Sequence, residues 1–159
     1  MSTGGTRRFD RLAPNLVAVA AISLAKVALA AEPVQVENDD HRVEIVRAER
    51  HDELMDGLLR PEDPAEAFLL VFLRTDDPCL DPERIDGCFD DEVEADERLA
   101  WACGSVVLED GQERLADGGG ILDGELACSY VVPRRSKRLR LMLRGYPEIE
   151  LEPALSAAE

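Results

Sequence analysis

Four cysteines, Cys79, Cys88, Cys103 and Cys128, separated by 9, 15 and 25 residues, constrain this chain more than any other feature. Zinc motifs bring cysteines in pairs with two to four residues between them, and none of these spacings is that short. A reactive thiolate needs a basic, polarising neighbourhood, whereas these cysteines sit among carboxylates. In an oxidising compartment an even number of cysteines reads as a disulfide framework. Three connectivities are open on paper. The expected one closes a local loop with Cys79 and Cys88 and joins two strands through Cys103 and Cys128.

The start of the chain argues for that compartment. Arg7, Arg8 and Arg11 precede the apolar stretch Leu16 to Ala25, and Ala28-Leu29-Ala30 puts small residues where a signal peptidase reads. The uninterrupted apolar run falls well short of the roughly 20 residues needed to span a bilayer, and Lys26 ends it. No Cys follows before Cys79, so the thiol needed for bacterial lipid attachment is missing. Residues 1–31 are therefore expected to be a signal peptide. Residues 32–159 are expected to form one secreted or periplasmic domain, with no membrane insertion of the mature form.

Charge narrows the partners. The chain carries 34 acids against 18 Lys and Arg, a formal net charge of −16. Losing residues 1–31 removes four bases and one acid, which leaves 14 bases against 33 acids, net −19. Such a field repels nucleic acid phosphates and anionic headgroups, so no nucleic-acid partner is expected. Cationic partners and divalent metals are favoured instead.

From Val34 onward short apolar runs alternate with Gly, Pro and Asp clusters, an all-β rhythm. Val34-Gln35-Val36 and Val43-Glu44-Ile45 read as paired strands around the turn residues Asn38-Asp39-Asp40. Ala67 to Leu73 is apolar on both faces and reads as a central strand. Ser105 to Glu109 and Gln112 to Leu115 flank Asp110-Gly111, the signal of a two-residue hairpin turn with positive φ at both positions. Leu126 to Val132 is a further strand. Leu139, Leu141 and Leu143 alternate with Arg138 and Arg140 and are followed by Arg144. The acidic alternation Glu148 to Glu152 is the natural cross-strand partner of that basic face. Gly118-Gly119-Gly120 lacks the Lys-Ser/Thr and the helix of a phosphate cradle and reads as a flexible turn. His51 to Ala65 reads as a loop with a helical turn over Glu53 to Leu59, and Ala154 to Glu159 as a frayed tail. The expected fold is an all-β, immunoglobulin-like antiparallel β-sandwich of about seven strands with an acidic loop insertion.

That insertion, Asp76 to Trp101, holds eleven acids against Arg84 and Arg98. Calcium takes six to eight oxygens, and a Cys79–Cys88 bridge would gather the carboxylates of Asp76, Asp77, Asp81, Asp86, Asp90 and Asp91. These are the candidate calcium ligands, and calcium is the one cofactor the composition suggests. No EF-hand spacing is present. A hydrolase would need a nucleophile, a base and an orienting acid. His41 and His51 are the only histidines, and Ser105, Ser129, Ser136 and Ser156 lie in no Gly-x-Ser-x-Gly elbow. No catalytic residues are assigned.

Val43-Glu44-Ile45-Val46-Arg47-Ala48-Glu49, Phe68-Leu69-Leu70-Val71-Phe72-Leu73, Val107-Leu108-Glu109-Asp110-Gly111 and Ser129-Tyr130-Val131-Val132-Pro133, followed by Leu139-Arg140-Leu141, are similar to the strands of a family of exported bacterial immunoglobulin-like domains. That family includes lipoproteins of unknown function and the mycobacterial immunoprotective extracellular antigen. The resemblance covers most of residues 33–152 and carries no catalytic motif. It implies an exported, non-enzymatic interaction or envelope module that binds an unidentified protein or cell-surface component. The alternatives are a calcium-stabilised extracellular structural domain and, third, an exported hydrolase.

Mass spectrometry of the exported protein is expected to find an amino terminus at Ala31 or Glu32, because Ala28 and Ala30 occupy the positions read before the cut. A mature form that retained Met1 would remove the basis for the oxidising compartment.

Overall fold

The computed structural model describes residues 32–155, so the expected signal peptide over 1–31 and residues 156–159 lie outside the described residues. Among the described residues nine strands run in the order β1 (Val34–Glu37), β2 (Arg42–His51), β3 (Glu66–Thr75), β4 (Ser105–Val107), β5 (Glu113–Leu115), β6 (Gly118–Leu122), β7 (Glu125–Pro133), β8 (Arg140–Met142) and β9 (Ile149–Glu150). They form two antiparallel sheets, β1-β2-β3-β7-β6 and β5-β4-β8-β9. One helix, α1 (Ala95–Cys103), lies between β3 and β4. The expected sandwich of sheets is thus present, with more strands than the seven expected, several only two or three residues long.

Both sheets supply one core. From the five-stranded sheet come Val43, Ile45, Leu69, Val71, Leu73, Leu126, Tyr130 and Val132, and from the four-stranded sheet Val106, Leu141 and Ile149, all buried in one cluster. The row Val106, Leu141, Ile149 is in register across β4, β8 and β9. Each such side chain contributes about 1.5–3 kcal/mol on burial. β3 lies between β2 and β7 and is buried along most of its length, as the run Ala67 to Leu73 requires.

β2 changes phase midway. Val43 and Ile45 face inward, and strict alternation would send Arg47 in after them. The register against β3 steps from Ile45↔Leu73 to Arg47↔Phe72, leaving Val46 as a bulge. The extra residue flips the strand, so Ala48 enters the core and Arg47, Glu49 and His51 face outward.

Asp-Gly turns differ from expectation. At Asp110-Gly111 only Gly111 has positive φ; Gly111 N–H donates to Leu108 C=O and Leu108 N–H to Gln112 C=O. This is a three-residue loop with its last residue left-handed, and Asp110 braces it by accepting from Gln112 N–H. The two-residue turn lies at Asp123-Gly124, where both φ values are positive and Leu122 pairs with Glu125. Gly118-Gly119-Gly120 is accordingly a strand, β6, rather than a flexible turn, because its ladder partner β7 follows two residues after it. The helical turn over Glu53 to Leu59 is absent. Leu54 and Leu59 bond to each other through both N–H groups, around Met55, Asp56 and Gly57, all left-handed.

The acidic insertion is folded rather than a loop. Short 3-10 turns at Pro78–Leu80 and Ile85–Cys88 bury Leu80 and Ile85, and Phe89 packs edge-on against Trp101 with centroids 4.8 Å apart. Leu99, Ala102 and Cys103 recur at helical spacing, Asp96 and Glu97 complement the positive end of α1, and Gly104 with φ +57 ends it. A Cβ at Gly104 would lie 2.0 Å from the Met142 carbonyl oxygen, so only glycine fits. Cys79 bonds Cys88 and Cys103 bonds Cys128. Because Cys103 ends α1, the second bridge joins helix to β7, not strand to strand. Ala154 and Leu155 are ordered, not frayed: Ala154 is buried and Leu155 bridges to Ala48. Opposite charges do meet across β8 and β9, where Arg140 is in register with Glu150 and paired with Glu148.

Replacing both Cys103 and Cys128 with Ala is expected to cost about 3.5 kcal/mol by loop entropy, against about 2.6 for Cys79 and Cys88. Burial of both sulfurs in the core widens that gap, since Ala leaves a cavity there. Urea unfolding of the two double variants measures the difference, and equal losses would contradict the ranking.

Candidate functional site

The structure does not gather the six candidate calcium ligands. Asp76 Oδ1 accepts the Arg42 N–H at 2.8 Å, and this bond holds its carboxyl below the usual carboxylate range. Asp77 is buried, with Oδ1 accepting from Cys79 N–H at 2.9 Å and Oδ2 from the Tyr146 hydroxyl at 2.7 Å. Burial and the bond to Asp77 push the Tyr146 phenol well up. Asp81 accepts from Arg84 Nε at 2.7 Å, which lowers its pKa, and Asp86 pairs with Arg98. Asp90 and Asp91 are exposed. Four of the six carboxylates are therefore already spent on caps, turns and arginines, and among the described residues no three Asp, Glu, His or Cys side chains converge on one point.

The histidines face carboxylates rather than a serine hydroxyl. His51 Nε2 lies 3.0 Å from Glu49 Oε2, and His41 Nδ1 lies 3.7 Å from Asp76 Oδ1. Ser105 donates to the Glu113 carboxylate and Ser136 to the Pro133 carbonyl.

The organised polar chemistry lies on the outer face of the five-stranded sheet. Here the β2 bulge presents Arg47, Glu49 and His51. Glu125, with 7% of its side chain exposed, accepts from Arg47 Nη1 and Arg74 Nη2, each at 2.8 Å. Arg47 also donates Nε to Glu49 at 2.8 Å, and its guanidinium lies 3.7 Å over the Phe72 ring, the in-register residue on β3. Burial raises the Glu49 pKa, but hydrogen bonds from His51 and Arg47 outweigh it and hold the carboxyl below its ordinary value. That stabilisation is complete above the ordinary glutamate pKa and is lost as pH falls through the lower folded value. The belt thereby seals one end of the outer face, and Phe72 beneath it is only 2% exposed.

The other end is open. A groove of about 520 Å³ lies there, its apolar part lined by Leu54, Leu59, Pro61, Phe68 and Val131 and its polar part by Glu62, Glu66 and Asp117 among others, with Gly118 also in the lining. The Arg114–Glu66 pair, 3.1 Å, closes one side. The loop between Leu54 and Leu59, left-handed at Met55, Asp56 and Gly57, contributes its two ends to the lining and leaves Met55 and Leu58 67% and 78% exposed. Met55 is held out on a backbone that favours glycine, and with Leu58 it forms exposed apolar surface that serves no core.

No protein-family model matches the chain, and neither a curated protein nor a solved structure matches it. The groove was not legible in the sequence, because Leu54, Phe68, Gly118 and Val131 come from four segments. Met55 and Leu58 fall in a segment read as a loop with a helical turn, where two apolar residues carry no spacing signal.

Glu125 is the buried member of the belt, and Arg47 and Arg74 are its partly exposed ones. An Arg47→Met/Arg74→Met variant, which strands the buried carboxylate, is expected to lose about 3 kcal/mol. Glu125→Gln keeps an acceptor and leaves two solvated arginines, at a cost of about 1 kcal/mol. Chemical denaturation at neutral pH checks the order; the reverse order would mean that the arginines, not the carboxylate, carry the desolvation.

Proposed function

We propose that the chain is an exported, non-enzymatic interaction module: a secreted or periplasmic immunoglobulin-like sandwich that binds a protein or cell-surface component. Connectivity supports the immunoglobulin-like reading. With β2 through β9 taken as strands A, B, C, C′, D, E, F and G, the sheets run A-B-E-D and C′-C-F-G, and β1 adds a strand beside A. Immunoglobulin-type sandwiches have this order. It also favours kinship with the exported bacterial immunoglobulin-like domains that the strands resemble. The acidic insertion then lies between B and C, and the core disulfide fastens α1 to strand E. Two disulfides with no free cysteine among the described residues suit an oxidising compartment.

The observation that carries the binding role is the open groove together with exposed Met55 and Leu58 on the loop whose ends, Leu54 and Leu59, line it. Such a surface suits a partner that contributes apolar side chains, and the acidic surroundings favour a basic one.

Immobilised mature protein is expected to retain a component from the native envelope. A Met55→Ser/Leu58→Ser variant should lose at least nine-tenths of that capture with an unchanged melting temperature. Undiminished capture by the variant would sink the assignment to this groove. Turnover of a hydrolase substrate panel that His51→Ala abolishes would replace the module with an enzyme. A melting shift with calcium that sodium at matched ionic strength does not reproduce would favour the calcium-stabilised structural domain.

A further inference from the structure

Each sheet has two edges, and three of the four are protected. β1 follows Pro33 and ends in Glu37, β5 carries Glu113 and Arg114, and β9 carries Glu150 between Pro147 and Pro153. Charge and proline are the usual defences of an edge against further strand pairing. β6, Gly118-Gly119-Gly120-Ile121-Leu122, has neither, and Ile121 and Leu122 are 46% and 50% exposed.

The register tells which backbone groups that edge offers. The Asp123-Gly124 turn makes Leu122 and Glu125 the closing hydrogen-bonded pair, so Gly120 and Gly118 also bond to β7. Gly119 and Ile121 then direct their N–H and C=O groups away from the sheet. Among the described residues no turn, loop or side-chain hydrogen bond reaches them.

The three glycines are not equivalent. A Cβ on Gly119 would lie 2.9 Å from the Ala127 carbonyl oxygen and 3.0 Å from Cys103 Sγ, so packing beneath the sheet demands glycine there. On Gly120 it would meet nothing within 4 Å, and on Gly118 only Ser129 Oγ at 4.0 Å. Neither has positive φ. Glycine weakens a strand, and where neither packing nor dihedral requires it, the bare backbone leaves room for another chain to approach. That bare surface continues into the groove, whose lining includes Gly118.

We propose that β6 accepts an extended, basic segment of a partner polypeptide as a sixth strand of the sheet. Its main chain pairs with Gly119 and Ile121, and an apolar side chain passes over Gly118 into the groove of Phe68, Val131, Leu54 and Leu59. This rests on the interaction-module reading and names the partner's form. Charge selects the partner. Asp117 and Asp123 bracket β6, and neither is in an ion pair among the described residues. A second copy paired antiparallel about Gly120 would set Asp117 against the other Asp123 at both ends, between chains that each carry net −16. A strand bearing Lys or Arg at those positions turns both repulsions into attractions.

The test uses the mature protein and an array of nine-residue peptides in which Val, Ile or Leu alternates with Lys, Arg or Thr. Amide exchange followed by NMR reads the result. Bound peptide is expected to protect Gly119 and Ile121 N–H at least tenfold, and N-methylation of alternate peptide residues should abolish this. Ile121→Pro deletes one outward N–H without touching the ladder to β7, and it should weaken binding at least tenfold. Gly120→Val fills open space, so it should leave the melting temperature unchanged or raised while also weakening binding. Protection elsewhere, indifference to N-methylation or Ile121→Pro, or no binding by any peptide would overturn the proposal. So would protection of Gly119 and Ile121 in free protein that grows with concentration, which would make the occupant a second copy. Envelope capture lost in Met55→Ser/Leu58→Ser but kept in Ile121→Pro would leave the module standing and remove the strand partner.

Discussion

Much of this molecule hangs on Cys103. It is the last residue of α1, its sulfur is bonded to Cys128 in β7, and its carbonyl oxygen accepts the hydroxyl of Tyr130, also in β7. The next residue, Gly104, turns left-handed against the Met142 carbonyl of β8 and hands the chain to β4. One position thus ties the acidic insertion, the five-stranded sheet and the four-stranded sheet together. Tyr130 is wholly buried, which pushes its phenol far above the ordinary value. The hydroxyl remains a neutral donor, and the carbonyl at the end of the helix keeps a partner.

That junction also explains how so acidic an insertion stays folded. Its carboxylates repel one another, and local propensity alone would not hold the segment against the core. The chain meets this by covalent closure at both ends of the insertion, by the apolar anchors Leu80 and Ile85, and by giving several carboxylates a local task. Asp77 caps a 3-10 turn and receives Tyr146, Asp81 braces the next turn through Glu83 and Arg84, and Asp86 takes Arg98. In the sequence these acids look like a collection awaiting a cation. In the structure their spacing serves the backbone: Asp77 and Asp81 each accept from the N–H two residues on, which is the local bonding that short acidic side chains favour.

Features set by near neighbours were legible. The β1–β2 hairpin, the doubly buried β3, the charge match between Arg140 and the acidic β9, and both disulfide pairs follow from spacing within a few dozen residues. Features set by a partner strand were not. Asp110-Gly111 and Asp123-Gly124 are identical as dipeptides, and only strand register makes the second a two-residue turn. The triple glycine reads as flexible until β7 supplies a ladder. α1 was hidden because its acids draw attention from Leu99, Ala102 and Cys103, whose spacing marks its buried face. The candidate surface was the least legible of all, since it is built across four segments and two of its residues, Gly118 and Gly120, have no side chain to notice.

The bulge at Val46 has a consequence for how this chain can vary. Side-chain identity at Val46 matters little, since it neither enters the core cluster nor joins the ionic belt. Its presence as a counted residue matters little as well, because the bulge absorbs it. Removing it would join Ile45 directly to Arg47 and leave Ile45 and Ala48 inward and Arg47 and Glu49 outward, as the register against Leu73, Phe72 and Val71 already has them. Lineages of this domain should therefore tolerate almost any amino acid at that site, and a gap there too, while forbidding the loss of a single residue between Arg47 and His51. One position in the strand thus absorbs a change in length, and beyond it a shift of one residue would put the charged face and the oily face on the wrong sides.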